Sequence, residues 1–203
     1  YRARFGGKKA LAAPRGKGKT SIAEGVVGIY AILSGLLKYP VIIGATGPAA
    51  QRILSTIKDQ YEDNDLLAED FPEVCIPIRA LEGWSSKARM QTVNGRNTKI
   101  MWTADKVVFP RIEGAVCSGA VLETRSIDGQ VRGTKHGTRR PDFALVDDPE
   151  TRASAKSETE CENRETAIDN DVGGLGGGRA LRVHPIVNHA GGWGGACLPI
   201  QLA

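Results

Sequence analysis

The run Ala13-Pro14-Arg15-Gly16-Lys17-Gly18-Lys19-Thr20 constrains this chain more than any other segment. Small residues at this spacing let backbone N–H groups converge on one anion. A helix starting at the same point turns the positive end of its dipole toward it. Lys19 then reaches the outer phosphates of a nucleotide, and the Thr20 hydroxyl is placed to ligate a divalent cation. The pattern reads as a phosphate-binding loop in which Ala13 stands at the first glycine position. Such a loop needs a strand before it and a helix after it. Phe5 to Ala13 reads as a short strand. From Ile22 to Leu37 the chain is apolar nearly all round, with Ala23, Val26, Val27, Tyr30, Leu33 and Leu37 at helical spacing. That pattern predicts a buried helix rather than an amphipathic one.

The segments that follow alternate in the same way. Val41-Ile42-Ile43-Gly44-Ala45 is a short continuous apolar run, as expected of a parallel strand covered on both faces. Thr46-Gly47-Pro48 marks a turn. Ala50, Ile53, Leu54, Ile57 and Tyr61 then form a helical stripe. Met90 to Val93 and Thr98 to Trp102, separated around Asn94-Gly95, predict a hairpin or a longer turn. Lys106 to Phe109 and Ala115 to Thr124 are further strand candidates, and Thr151 to Asp171 reads as an exposed helix. The order of elements predicts an α/β fold.

A second chemical signal lies at Phe143-Ala144-Leu145-Val146, an apolar strand that stops at Asp147-Asp148-Pro149-Glu150. A strand tip that presents Asp147 beside the phosphate loop would hold the shell of a Mg²⁺ ion. The neighbouring carboxylate would orient and deprotonate an attacking water. Asp148 is the expected water-activating group, and Glu150, displaced by Pro149, is its competitor.

Composition excludes several classes. No apolar run approaches the length that spans a bilayer. Cys75, Cys117, Cys161 and Cys197 are scattered, without the paired spacing of a zinc site. His184 and His189 flank Pro185 without helical alignment. Reduced thiols and a cytoplasm-like compartment are expected. The net charge is +4, yet Tyr1 to Lys19 holds seven basic side chains and no acid, an end suited to phosphate from a nucleotide or from DNA.

Taken together, Pro14 to Thr20, the stretch Val131-Arg132-Gly133-Thr134-Lys135-His136-Gly137 and the run from Arg139-Arg140-Pro141-Asp142 to Glu150 resemble the large terminase subunits of tailed bacteriophages. The similarity extends over residues 5 to about 180. The resemblance implies a P-loop NTPase three-layer sandwich of the additional-strand, catalytic-glutamate type, with a mainly parallel central sheet. It implies an ATPase that uses ATP and Mg²⁺ to move double-stranded viral DNA into a capsid, in the cytoplasm of the host cell. By the same resemblance its partners are DNA, a small terminase subunit, a portal, and further copies of itself in a ring. Pro14, Arg15, Gly16, Lys17, Gly18, Lys19 and Thr20 would bind the nucleotide. Thr20 and Asp147 would hold the metal. Asp148 or Glu150 would activate water. Arg15 matches the family's basic residue acting on the γ-phosphate from within the subunit.

The chain departs from the family pattern beyond Asp171. No cluster of acids typical of the family's nuclease domain follows, and Leu181 to Asn188 lacks the hydroxyl residue of the family's coupling motif. Residues 1–180 are therefore expected to form the ATPase domain. Residues 181–203 are expected to form a glycine-rich, truncated or atypical segment without a nuclease domain. Two rivals stay open: a helicase-like P-loop motor, and a non-catalytic nucleotide- or DNA-binding assembly fragment.

Overall fold

The computed structural model describes residues 7–8, 11–13, 17–85, 87, 90–129, 131–149, 157–172, 174–176 and 182–188. Its centre is an eight-stranded sheet. At one edge lie β1 (Gly7–Lys8) and β2 (Leu11–Ala13), both paired in parallel with β10 (Arg182–Asn188). Next come β9 (Phe143–Asp147), β3 (Pro40–Gly44) and β8 (Val121–Ser126), all parallel. Then β7 (Lys106–Val108) and β6 (Met101–Trp102) close the far edge in antiparallel pairing.

Strand β10 therefore lies between the strand that leads into the phosphate loop and the strand that ends in the paired aspartates. This is the additional-strand arrangement expected of the fold. It also carries the sheet past residue 180, the expected limit of the domain. The physical reason is register: β10 pairs Asn188 with Ala13 on one side and Ile186 with Asp147 on the other, so without it the two motif-bearing strands would not share a sheet.

Alternation along the central strands separates two apolar layers. Ile42, Leu122 and Leu145 face one side, with Val27, Ile32, Leu54, Ile57 and Tyr61 from helices that cover it. Val41, Ile43, Ala144 and Val146 face the other side, with Ile168 and Val172. A sheet buried on both faces has strands that read as continuous apolar runs, which is why β3 and β9 are legible in the sequence.

Helix Gly47–Asp63 starts at the expected turn, and the Thr46 hydroxyl caps it by accepting the Ala49 N–H at 3.3 Å. The helices Asp65–Asp70 and Pro72–Arg79 follow, in a stretch without a clear period in the sequence. The Asn94-Gly95 turn closes only a two-residue hairpin, β4 (Thr92–Val93) with β5 (Arg96–Asn97). Its positive φ values of 51° and 74° suit this residue pair. The strand expected from Ala115 begins only at Val121, because residues 115–120 are spent on turns that bring the chain back to the sheet.

The segment after the phosphate loop differs from the sequence expectation in two ways. It is helical over Lys19–Ala23 and Ala31–Leu33, but Glu24–Tyr30 between them is a π-helix. It is also not buried all round: Ile22, Val26 and Tyr30 are 60%, 51% and 62% exposed. The sheet and helix Gly47–Asp63 can cover only one side of it. On that side the approach is close. A Cβ at Gly28 would lie 2.5 Å from Ile57 Cδ1, and the buried Tyr61 hydroxyl donates to the Gly28 carbonyl at 2.8 Å.

Candidate active site

The carboxyl ends of β2, β9, β3 and β8 lie along one edge of the sheet, where ligands bind in folds of this kind. Gly18 heads the phosphate-loop helix with φ 67°, a left-handed conformation that glycine adopts without steric cost. Lys19 follows, 8% exposed, while Lys17 stays exposed at the loop. Thr20 sits on the first turn, and its Oγ1 donates to the carboxylate of Asp147 at 3.1 Å to Oδ2 and 3.2 Å to Oδ1. Residues 127 positions apart are thus joined at the point where the two sequence motifs are expected to meet.

Burial pushes the Asp147 carboxyl above its ordinary value. The Thr20 hydroxyl and the Lys19 charge act against this, and the neighbouring Asp148 adds to it. Asp148 itself has φ 41°, an uncommon conformation for a residue with a Cβ. Such strain persists only where the surroundings enforce it.

A cleft of about 470 Å³ opens beside these groups. It is lined by Thr20, Glu24, Asp147 and Asp148, by Thr46, and by Arg52 and Thr56 from helix Gly47–Asp63. Sequence reasoning misses Glu24, Arg52 and Thr56. The spacing of Glu24, one helical turn after Thr20, was the available signal. Burial raises the Glu24 carboxyl, and the charge of Asp147 raises it further. Pro14, Arg15, Gly16 and Glu150 lie outside the described residues; of the others, the structure brings Lys19, Thr20, Asp147 and Asp148 together, while Lys17 and Gly18 are exposed just before them in the chain.

The site suits a divalent cation bound with a nucleotide. A hydroxyl already aimed at a carboxylate, whose negative charge is disfavoured by burial and by a second carboxylate, is a donor set that a cation would relieve.

Asp142, in the Arg-Pro-Asp lead before β9, has a different role. Its carboxylate accepts the backbone N–H groups of Lys38 at 2.7 Å and Tyr39 at 3.0 Å, and its own N–H donates to the Tyr39 carbonyl at 3.1 Å. It ties the starts of β3 and β9 together and so fixes their register at the opposite, carboxyl edge.

Strand order and parallel pairing define the P-loop NTPase fold of the additional-strand type. No protein family matches the sequence, and no curated protein does. Among solved structures, the chain is similar to the Thermus phage P74-26 large terminase ATPase domain in an arginine-to-alanine mutant form. That match has TM-score 0.50 and 16% identity, over 92% of this chain and 61% of that one. The same domain in a second structure gives 0.49 and 18%, with the same coverage. The HK97 bacteriophage large terminase gives 0.49 and 13%, over 92% of this chain and 30% of that one. At these identities the likeness is one of fold. It is the fold that the resemblance to large terminase subunits implies.

Proposed function

We propose that this chain is the ATPase domain of a viral DNA-packaging motor, hydrolysing Mg²⁺-ATP to drive double-stranded DNA into a capsid. The observation that carries this reading is the Thr20–Asp147 contact, which joins the phosphate loop to the tip of β9 within one cleft. Its neighbours in fold are named as large terminases and their ATPase domains, and the chain spans 61% or less of their length.

In this mechanism Pro14, Arg15, Gly16, Lys17 and Gly18 wrap the phosphates, and Lys19 bridges the outer two. Thr20 and Asp147 would hold Mg²⁺, which when bound would neutralise charge on the phosphate oxygens. Asp148, or Glu150 two residues on, takes a proton from water as its oxygen attacks the γ-phosphorus. The bond to the bridging oxygen breaks, and ADP and inorganic phosphate leave. Arg15 stabilises the charge that develops on the transferred group.

A basic face supports DNA as the partner. Arg139 Nη1 donates to the Gly119 carbonyl at 2.9 Å, and the Arg111 stem lies 3.4 Å from where a Gly119 Cβ would be. His136 is kept below its ordinary value by burial first, then by Lys106, Arg111 and Arg139. Arg111, Lys135, Arg139 and Arg140 are exposed and form no ion pair among the described residues. Such a surface attracts a polyanion. Among the described residues no helix is long and apolar enough to cross a membrane. The setting is the host cytoplasm, with a ring of copies working at a portal beside a small terminase subunit.

The test is phosphate release from Mg²⁺-ATP, with and without double-stranded DNA, for the wild type and Lys19→Ala. Turnover that rises with DNA and falls at least ~100-fold in the variant is expected, as when one main phosphate ligand is removed. Equal turnover in the two proteins would overturn the assignment.

A further inference from the structure

Asp148 needs support on both sides to keep its left-handed backbone. On one side the sheet supplies it: Asp147 is paired in register with Gly44 of β3 and Ile186 of β10. On the other side the chain turns into Pro149, whose ring leaves its carbonyl as the only backbone group able to hydrogen-bond. That carbonyl is held by Arg164. The residue lies in the last turn of helix Glu158–Thr166 and is 7% exposed. Its Nη1 donates to Pro149 O, and its Nη2 pairs with Asp128 Oδ2 at 2.9 Å. Asp128 belongs to the turn after β8, so one guanidinium binds the loop beyond β9 to the turn beyond β8.

We infer that Arg164 is a positioning residue for the water-activating loop: it clamps Pro149, and thereby holds the Asp148 carboxylate at the mouth of the cleft. A two-armed guanidinium fits this task because its planar fork fixes both acceptors at once, and a lysine ammonium at the same place would not. Burial matters too. Removing the guanidinium leaves the Pro149 carbonyl buried without its donor, which favours a shift of the loop. A misplacement of about 1 Å at a reacting group is enough to lower turnover on the order of 100-fold. The phosphate loop lies on the other side of Asp147, so nucleotide affinity should change little. Asp128 is 60% exposed in its side chain, and so serves as an anchor that solvent can partly replace.

This inference rests on the ATPase reading for its kinetic arm and on the geometry alone for a second arm. In the first arm, Arg164→Ala and Arg164→Lys are compared with the wild type for kcat, KM and binding of a fluorescent ATP analogue with Mg²⁺. In the second, amide hydrogen exchange is followed without nucleotide in peptides covering residues 143–150. Expected for Arg164→Ala are a kcat lowered ~10- to 100-fold, a KM and analogue affinity within ~3-fold of wild type, and faster exchange confined to that peptide. Arg164→Lys should recover part of both. It retains a donor and a charge, so it also serves if Arg164→Ala does not fold. Unchanged exchange at residues 143–150, or an unchanged kcat in a wild type that turns over, would overturn the inference. So would a fall in kcat that Lys fails to relieve at all. A wild type without turnover would instead defeat the ATPase reading, while the exchange result still decides whether Arg164 holds the loop.

Discussion

The hydroxyl of Thr20 lies 3.1 Å and 3.2 Å from the two carboxylate oxygens of Asp147, so one side chain of the phosphate-loop helix touches the end of a strand 127 residues later. A divalent cation bound here would be held by the Thr20 hydroxyl and the Asp147 carboxylate. Thr20→Ala is expected to weaken Mg²⁺-dependent nucleotide binding ~10-fold or more. Binding without Mg²⁺ should stay nearly unchanged. Titration of a fluorescent nucleotide with and without the metal separates the two, and equal weakening would count against a metal role.

Asp147 also sets a pH dependence. Burial raises its carboxyl above the unfolded value of 3.8. A group held higher in the folded state leaves stability intact below its unfolded pKa and costs stability as pH rises through the folded one. Asp147→Asn should therefore raise the melting temperature of the nucleotide-free protein at pH 7. The gain should vanish below pH 3.8, where the wild-type carboxyl is protonated in both states. Calorimetry across pH checks this; an equal gain at all pH values would reject it.

Asp142 predicts a loss of stability rather than of activity. Removing its carboxylate leaves the Lys38 and Tyr39 N–H groups without their acceptor. Asp142→Ala is expected to cost about 2–3 kcal/mol, read as a lower urea midpoint with an unchanged slope.

Gly28 predicts an overpacking penalty. A methyl group there would meet Ile57 at 2.5 Å, and the two helices cannot separate without breaking the Tyr61 bond to the Gly28 carbonyl. Gly28→Val should cost about 1–3 kcal/mol by thermal melting. A neutral result would mean that the π-helical turn yields more readily than this packing implies.

The basic face predicts a salt dependence. Replacing Arg111 and Arg139 together by alanine should weaken double-stranded DNA binding. It should also flatten the plot of log affinity against log salt by about 1.8, close to 0.9 for each phosphate no longer neutralised. Fluorescence anisotropy over a salt series measures it. An unchanged slope would locate DNA elsewhere.

The sequence by itself determined most of the parallel core, and it supplied the motifs on which the proposed chemistry rests. The run from Pro14 to Thr20 carries its meaning locally, because a phosphate cradle is made of neighbouring backbone groups and the helix that follows. Val41–Ile43 and Phe143–Val146 were legible because a strand covered on both faces needs no alternation. What only the tertiary structure decided depends on partners distant in the chain. Thr20 meets Asp147 only because β10 enters the sheet between their strands, and that strand lies in a stretch with no motif of its own. Which face of the phosphate-loop helix stays exposed depends on how little surface the sheet and one neighbouring helix can cover. Glu24 and Arg52 line one cleft only because the fold brings their helices to the tip of β9. Arg164 is the extreme case: an arginine in a charged, exposed-looking helix, which becomes a buried clamp because Pro149 and Asp128 are brought to it from 15 and 36 residues away.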